Sequence, residues 1–270
     1  MYGAILGDMI GAPYEFDRGD KTKEFELFNS NVRYTDDTVM TLAIEFALLT
    51  TEKDADEAVM KEKFVSSMQD FGRRYAQGEY GGRFARWLDS EDPQPYNSWG
   101  NGSAMRVSSI GWYFDSLERT REVARWSAEV THNHPEGIKG AESVASAIYL
   151  LRTGKSKDEV KQYIIDEFGY NLSRSCDDIR PTYHHVESCQ ETVPEAITAF
   201  LEGIDFEDCI RTAVSLGGDC DTLTCITGSL AEAFFEVPIE FKKECDSRLP
   251  LRLKGILRDF IVSIVDIYYK

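Results

Sequence analysis

Basic side chains are in short supply: 30 lysines and arginines stand against 47 acidic residues, a formal net charge of −17 over 270 residues. A chain this negative repels phosphate backbones and carries no basic stripe, which argues against nucleic acid as a partner. A small phosphorylated ligand held locally by helix N-termini stays compatible with it. The six cysteines (Cys176, Cys189, Cys209, Cys220, Cys225 and Cys245) form no CxxC pair and no zinc-ligand spacing. The start, "MYGAILGDMIGAPYEF", lacks a basic leader and meets Asp8 early, so reduced thiols in a cytosolic protein are expected. Long apolar runs are missing too. The most apolar tail, "GILRDFIVSIVDIYYK", is interrupted by Arg258, Asp259 and Asp266 and is too short to span a membrane. Low-complexity tracts, Pro/Ser-rich linkers and internal repeats are absent.

What is present is core material: 42% hydrophobic and 12% aromatic residues, too apolar for a disordered chain. Helical periodicity dominates. Leu253, Ile256, Leu257, Phe260, Ile261, Ile264, Val265 and Tyr268 repeat at i, i+3, i+4, i+7. Phe206, Cys209, Ile210, Ala213 and Val214 do the same up to a Gly217-Gly218 stop. Further helices are expected through Met60 to Tyr75 and through Val123 to Val130. Val39 to Leu49 and Leu223 to Phe235 are apolar nearly all round, as helices in the middle of a bundle are. The best strand candidate, "FELFNSNVRY", is weak. Loops are expected at Gly78 to Gly82, "DSEDPQPYNSWGNGS", "THNHPEG" and "SCDDIRPTYHHVESC". The expectation is a single all-α domain over residues 1–270, with chemistry concentrated in the loops between helices.

Each all-round apolar helix begins beside an acidic group: Thr35, Asp36 and Asp37 before one, Asp219 and Asp221 before the other. N-capping explains one side chain at such a position. It does not explain several oxygen-bearing ones at the mouth of a helix that must be buried. Carboxylates gathered there repel unless a cation lies between them. Oxygen ligands without histidine or cysteine favour Mg²⁺ or Mn²⁺ over zinc, and two aspartate pairs suit two ions about 3.5–4 Å apart. In "WGNGSAMR" the glycines offer either an ordinary turn capped by Ser103 or a backbone cradle for a pyrophosphate. "THNHPEG" places His132 and His134 before Pro135, a residue suited to the first position of a helix.

Five segments in order resemble the ADP-ribosylglycohydrolase family over nearly the whole chain: "GAILGDMIGAPYEF", "YTDDTVM", "GNGSAMR", "THNHPEGIKGAES" and "SLGGDCDTLTCITGSLAEAFF". The resemblance implies a compact orthogonal all-α bundle with two Mg²⁺ (or Mn²⁺) ions at the bottom of a cleft. It makes Thr35, Asp36, Asp37, Asp219, Asp221 and Thr222 the metal ligands. Glu15 matches a glutamate implicated in catalysis beside the metals, and Asp36 and Asp37 share the catalytic centre. Gly102 and Ser103 match the step that contacts a diphosphate, with Asn101 and Met105 of the same motif as substrate-binding neighbours. His132 matches a phosphate-side histidine, and His134 is a second candidate. Cys220 departs from the usual Thr or Ser between the two metal aspartates; it is expected to point away from the ions, with a thiol that adds oxidation sensitivity. Tyr75 to Leu88 occupies the region where acceptor specificity varies.

The activity so implied is hydrolysis of the bond at C1″ of the distal ribose in an ADP-ribosylated protein or small molecule, through an oxocarbenium-like transition state. Glu15 is the preferred general base, because a carboxylate held between two cations is a poor one. Tyr96 or Trp99 is positioned to stack on adenine. A monomer is expected. Two other readings use the same residues: a two-metal helical hydrolase of another nucleotide-type substrate, and a non-enzymatic family member that only binds ADP-ribose.

Overall fold

The computed structural model describes residues 1–75 and 80–268. Gly78 and Glu79 of the expected loop, and the side chain of Tyr268, lie outside what is described. Fifteen α-helices follow one another among these residues. They begin with α1 (Tyr2–Gly11), α2 (Asp36–Leu49), α3 (Glu57–Arg74), α4 (Gly82–Asp89) and α5 (Gly102–Met105). Next come α6 (Ser108–Tyr113), α7 (Leu117–Glu129), α8 (Pro135–Arg152), α9 (Lys157–Phe168) and α10 (Cys176–Ile179). The last are α11 (Cys189–Glu202), α12 (Phe206–Val214), α13 (Cys220–Phe234), α14 (Ile239–Arg248) and α15 (Leu251–Tyr268). No strand forms among the described residues. The expected all-α fold is the one observed, and Phe25 to Tyr34, the weak strand candidate, is irregular chain.

The two apolar segments are the central helices. α13 packs against α1, α8, α11 and α12, and α2 lies against α3, α15 and α1. Amphipathic helices close the outside: α3 buries Met60, Phe64, Met68 and Phe71, the stripe that its spacing announced. α12 ends where Gly217 and Gly218 turn to φ +73° and +79°, a left-handed pair that returns the chain directly into α13.

α1 approaches α13 through glycines four residues apart. A Cβ at Gly3 would lie 2.1 Å from the Gly228 carbonyl oxygen, one at Gly7 2.2 Å from that of Thr224, and one at Gly11 2.5 Å from that of Cys220. Any side chain on this stripe would separate the two backbones. Their closeness sets Asp8, on α1, against the first turns of α2 and α13. No helix of the described residues is long and apolar enough to cross a membrane.

Candidate active site and metal cluster

The floor of a cleft of about 310 Å³ is made by the starts of α2 and α13 together with Glu15. Thr35 is the N-cap of α2 and Asp219 that of α13, yet neither side chain makes a capping bond. α2 is capped from outside. Asp8 Oδ2 accepts from the Thr35 N–H at 2.9 Å and the Thr38 N–H at 3.1 Å. Its carboxylate also accepts from Thr35 Oγ1 at 2.6 Å and from the Thr38 hydroxyl. Asp8 satisfies these orphan donors, and Asp36 and Asp37 line the cleft. In α13, Asp221 Oδ1 takes the N–H of Thr222 at 2.8 Å, and Asp219 Oδ2 accepts from Asn101 Nδ2 at 2.6 Å. Asp8 is the member of the site that sequence reasoning missed. Its signal was present: one charge in an otherwise uncharged, glycine-spaced helix.

Two groups of carboxylate oxygens result, each within 4.8 Å: Asp8, Asp37 and Asp221 in one, Glu15, Asp219 and Asp221 in the other. All five residues are buried, and Asp221 belongs to both groups. Thr222 Oγ1 donates to Asp37 Oδ2 at 3.2 Å, and Thr35 Oγ1 lies 3.5 Å from Asp221 Oδ2. Asp36 is half-buried at the cleft edge. Burial, and then the Asp221 charge, drives the Asp37 carboxyl well above the usual carboxylate range. Burial followed by Asp219 does the same to Asp221, and burial lifts Asp219 to about 7. Asp37 Oδ1 is buried with no hydrogen-bond partner among the described residues. Crowded, desolvated acids with an unsatisfied oxygen fit divalent cations, and a donor set of oxygens alone fits hard ones.

This cluster has a pH signature. In chelated protein the folded state keeps protons that the unfolded chain, titrating near 4, has already released. The cluster's contribution to stability therefore falls as pH rises from about 4 through about 7. Thermal melting in chelator between about pH 5 and about pH 8 is expected to show a steeper decline for the wild type than for Asp219→Asn.

The cleft wall brings in Asn101, Gly102, Met105 and His132. Ser103 does not join them: its hydroxyl is fully buried and donates to the Gly137 carbonyl at 2.7 Å. Of the Gly102-Ser103 step expected at a diphosphate, Gly102 is the residue that lines the cleft. His134 is likewise engaged, its Nδ1 capping α8 through the Glu136 N–H at 3.1 Å. Tyr96 lines the cleft with its ring 5.9 Å from His132. Trp99 instead meets His134 edge-on at 5.5 Å. Phe84 and Arg83 of α4 also line the cleft, so part of the Tyr75–Leu88 segment does reach the site; residues 76–79 lie outside the described residues. Cys220 is wholly buried, its Sγ 3.9 Å from the Val214 carbonyl oxygen, and burial pushes its thiol far up. Such a thiol is inert, so the expected oxidation sensitivity has no physical basis here. All six cysteines are free and buried.

The sequence profile of the ADP-ribosylglycohydrolase family matches residues 1–261. The chain is 28% identical to human ADP-ribosylhydrolase ARH3 in a 318-position alignment that covers 90% of this chain and 87% of that one. It is 23% identical to ADP-ribosylarginine hydrolase Tri1 of Serratia proteamaculans over 265 positions, covering 87% and 70% of the two chains. Among solved structures, one named ADP-ribosylglycohydrolase-related protein complex superposes with a TM-score of 0.71 at 23% identity, over 97% of this chain and 95% of that one. That likeness concerns the fold. The profile spans nearly the whole chain and includes both acidic helix starts: the chain belongs to the ADP-ribosylglycohydrolase family and is a glycosidic-bond hydrolase.

Proposed function

We propose that the protein hydrolyses the bond at C1″ of the distal ribose in ADP-ribosylated proteins or small molecules, releasing ADP-ribose, and that it does so with two divalent ions, Mg²⁺ or Mn²⁺. The observation that carries this reading is the pair of buried acid groups sharing Asp221 at the floor of the cleft. Asp36, Asp37, Asp219 and Asp221, with the Thr35 and Thr222 hydroxyls, would hold the ions. Bound there, the ions supply Lewis-acid polarisation of ribose hydroxyls and of a water.

The chain's own groups do the rest. Asp37 is steadied by Thr222 and Asp219 by Asn101; fixed acids need little reorganisation as charge develops on the sugar. A negative floor stabilises an oxocarbenium-like ring. Of the five buried acids, Asp37, Asp219 and Asp221 are assigned to the ions and Asp8 is taken up by Thr35 and Thr38, which leaves Glu15 as the carboxylate assigned to take the proton from water and return one to the leaving group. Gly102 and His132 take the diphosphate, and Tyr96 is the aromatic assigned to the adenine. The relatives named for ADP-ribosylhydrolase and ADP-ribosylarginine hydrolase activity support this substrate class.

The test is a panel of ADP-ribosylated arginine, ADP-ribosylated serine, an ADP-ribosylated nucleobase and O-acetyl-ADP-ribose, with Mg²⁺ or Mn²⁺, scored for free ADP-ribose. Release from at least one member is expected. Phosphate or AMP release in its place would assign the site to another nucleotide-type hydrolase; binding of ADP-ribose without turnover would make the chain a binder. Divalent ion at about a hundred times its Kd is expected to stabilise the fold by about 2.7 kcal/mol, several degrees in Tm. An unchanged Tm would remove the metals from the proposal.

A further inference from the structure

Arg106 is among the largest fully buried side chains, and it is the sole lysine or arginine buried to this degree among the described residues. No carboxylate pairs with it there. Its Nη2 donates to the Ser127 carbonyl at 2.9 Å and to Thr131 Oγ1 at 2.8 Å, and its Nε has no partner among the described residues. Burial pulls its pKa down to about 10, so it remains a cation at neutral pH. An unpaired buried guanidinium on the wall of a cleft is costly unless it serves something there.

The Thr131 hydroxyl links it to His132: Oγ1 lies 2.7 Å from His132 Nδ1. A hydroxyl has one proton to give. Oxygen Oγ1 already accepts from Arg106, which polarises its O–H bond. Two acceptors are within reach of that proton, Nδ1 at 2.7 Å and the Ala128 carbonyl at 3.5 Å. The second is too long for a sound O–H···O bond. The proton therefore goes to Nδ1, and a ring that accepts at Nδ1 carries its own hydrogen on Nε2. Nε2 is the edge turned to the glycine segment of the cleft: a Cβ at Gly100 would lie 3.4 Å from it and one at Gly102 3.3 Å. A doubly protonated ring is opposed by burial and then by the Arg106 charge.

We infer that Arg106 and Thr131 are positioning residues that lock His132 as a neutral Nε2–H donor facing the anionic part of the ligand. The chain Arg106 → Thr131 → His132 would present one directed hydrogen bond at the cleft wall, with a fixed positive charge behind it. No proton has to be gained or lost when the ligand enters. The ligand assignment rests on the diphosphate reading proposed above; the tautomer does not.

The experiment is nitrogen-detected NMR of the full-length protein labelled with ¹⁵N-histidine, in Mg²⁺. With four histidines in the chain, His132→Gln identifies the ring concerned. Nδ1 is expected to be unprotonated and Nε2 protonated. In Thr131→Val the ring should lose this single tautomer, and in Thr131→Ser regain it. In parallel, the Kd for ADP-ribose should rise about tenfold in Thr131→Val, the size expected for one directed hydrogen bond to an anion, and recover in Thr131→Ser. A wild-type ring protonated on Nδ1, or on both nitrogens at neutral pH, overturns the inference; that spectrum decides even if Thr131→Val does not fold. The expected tautomer switch with an unchanged ADP-ribose Kd would uphold the relay and move the diphosphate away from His132.

Discussion

Asp221→Asn is expected to lower the rate of ADP-ribose release at least about 10³-fold, while the chelated variant melts no lower than the wild type. The two parts of this result discriminate because they run in opposite directions. Asp221 is common to both acid groups, so its carboxylate is the one whose loss alters both. Asparagine keeps the shape and the oxygen that accepts the Thr222 N–H, now 2.8 Å from Oδ1. Without cations, the wild-type cluster holds neighbouring carboxylates whose charged forms burial and mutual repulsion oppose. Removing one relieves that opposition. A residue conserving only structure would give the reverse pattern, a fall in Tm with activity retained per folded molecule. Near-wild-type turnover in Asp221→Asn, or a chelated variant that melts several degrees lower, would sink the binuclear centre as the catalytic element. The same variant should lose most of its stabilisation by added Mg²⁺ or Mn²⁺.

Gly7→Ala is expected to cost about 3 kcal/mol or more of stability, several degrees in Tm, although alanine is the better helix former. The Cβ would stand 2.2 Å from the Thr224 carbonyl oxygen and 2.8 Å from the Cys225 Cα, both backbone atoms of α13. Neither has a rotamer to change, so α1 itself must move outward. Asp8 moves with it and loosens the cap on α2, so activity should fall more than the population of folded protein does. Gly255 provides the control. It lies within α15 with open space where a Cβ would go, and Gly255→Ala is expected to stabilise by about 1 kcal/mol. Urea titration of the two variants against wild type reads both effects. If they shift alike, backbone contact between α1 and α13 is not what the glycines are for.

Much of the site could be read one residue at a time. Asp36 and Asp37 before α2, and Asp219 and Asp221 before α13, are surplus to capping, and the structure makes the surplus plain: the N-cap side chains Thr35 and Asp219 do not cap. Periodicity located α3, α12 and α15, because burial of one face leaves a regular mark on the chain. What periodicity could not show is partnership. Asp8 reads as an interruption in an apolar helix until α1 packs beside the start of α2, where it meets Thr35 and Thr38. Nor could spacing show that the Ser103 hydroxyl turns to the Gly137 carbonyl while Gly102 lines the cleft. Arg106, the last residue of "GNGSAMR", carries no mark in the sequence of its burial against Ser127 and Thr131.

The helical class, the two central helices, the surplus acids at their starts and the oxygen-only ligand set they offer to an ion were therefore legible from the chain alone. These are properties of residue type and local spacing, and local interactions are enough to express them. Folding settled which carboxylates share a group, that Asp221 joins both, that Asp8 does the capping, and which edge of His132 meets the cleft. Those facts depend on atoms far apart along the chain: Asp8 and Asp221 are brought together by backbone contact between α1 and α13, and side-chain spacing along a single helix carries no record of it.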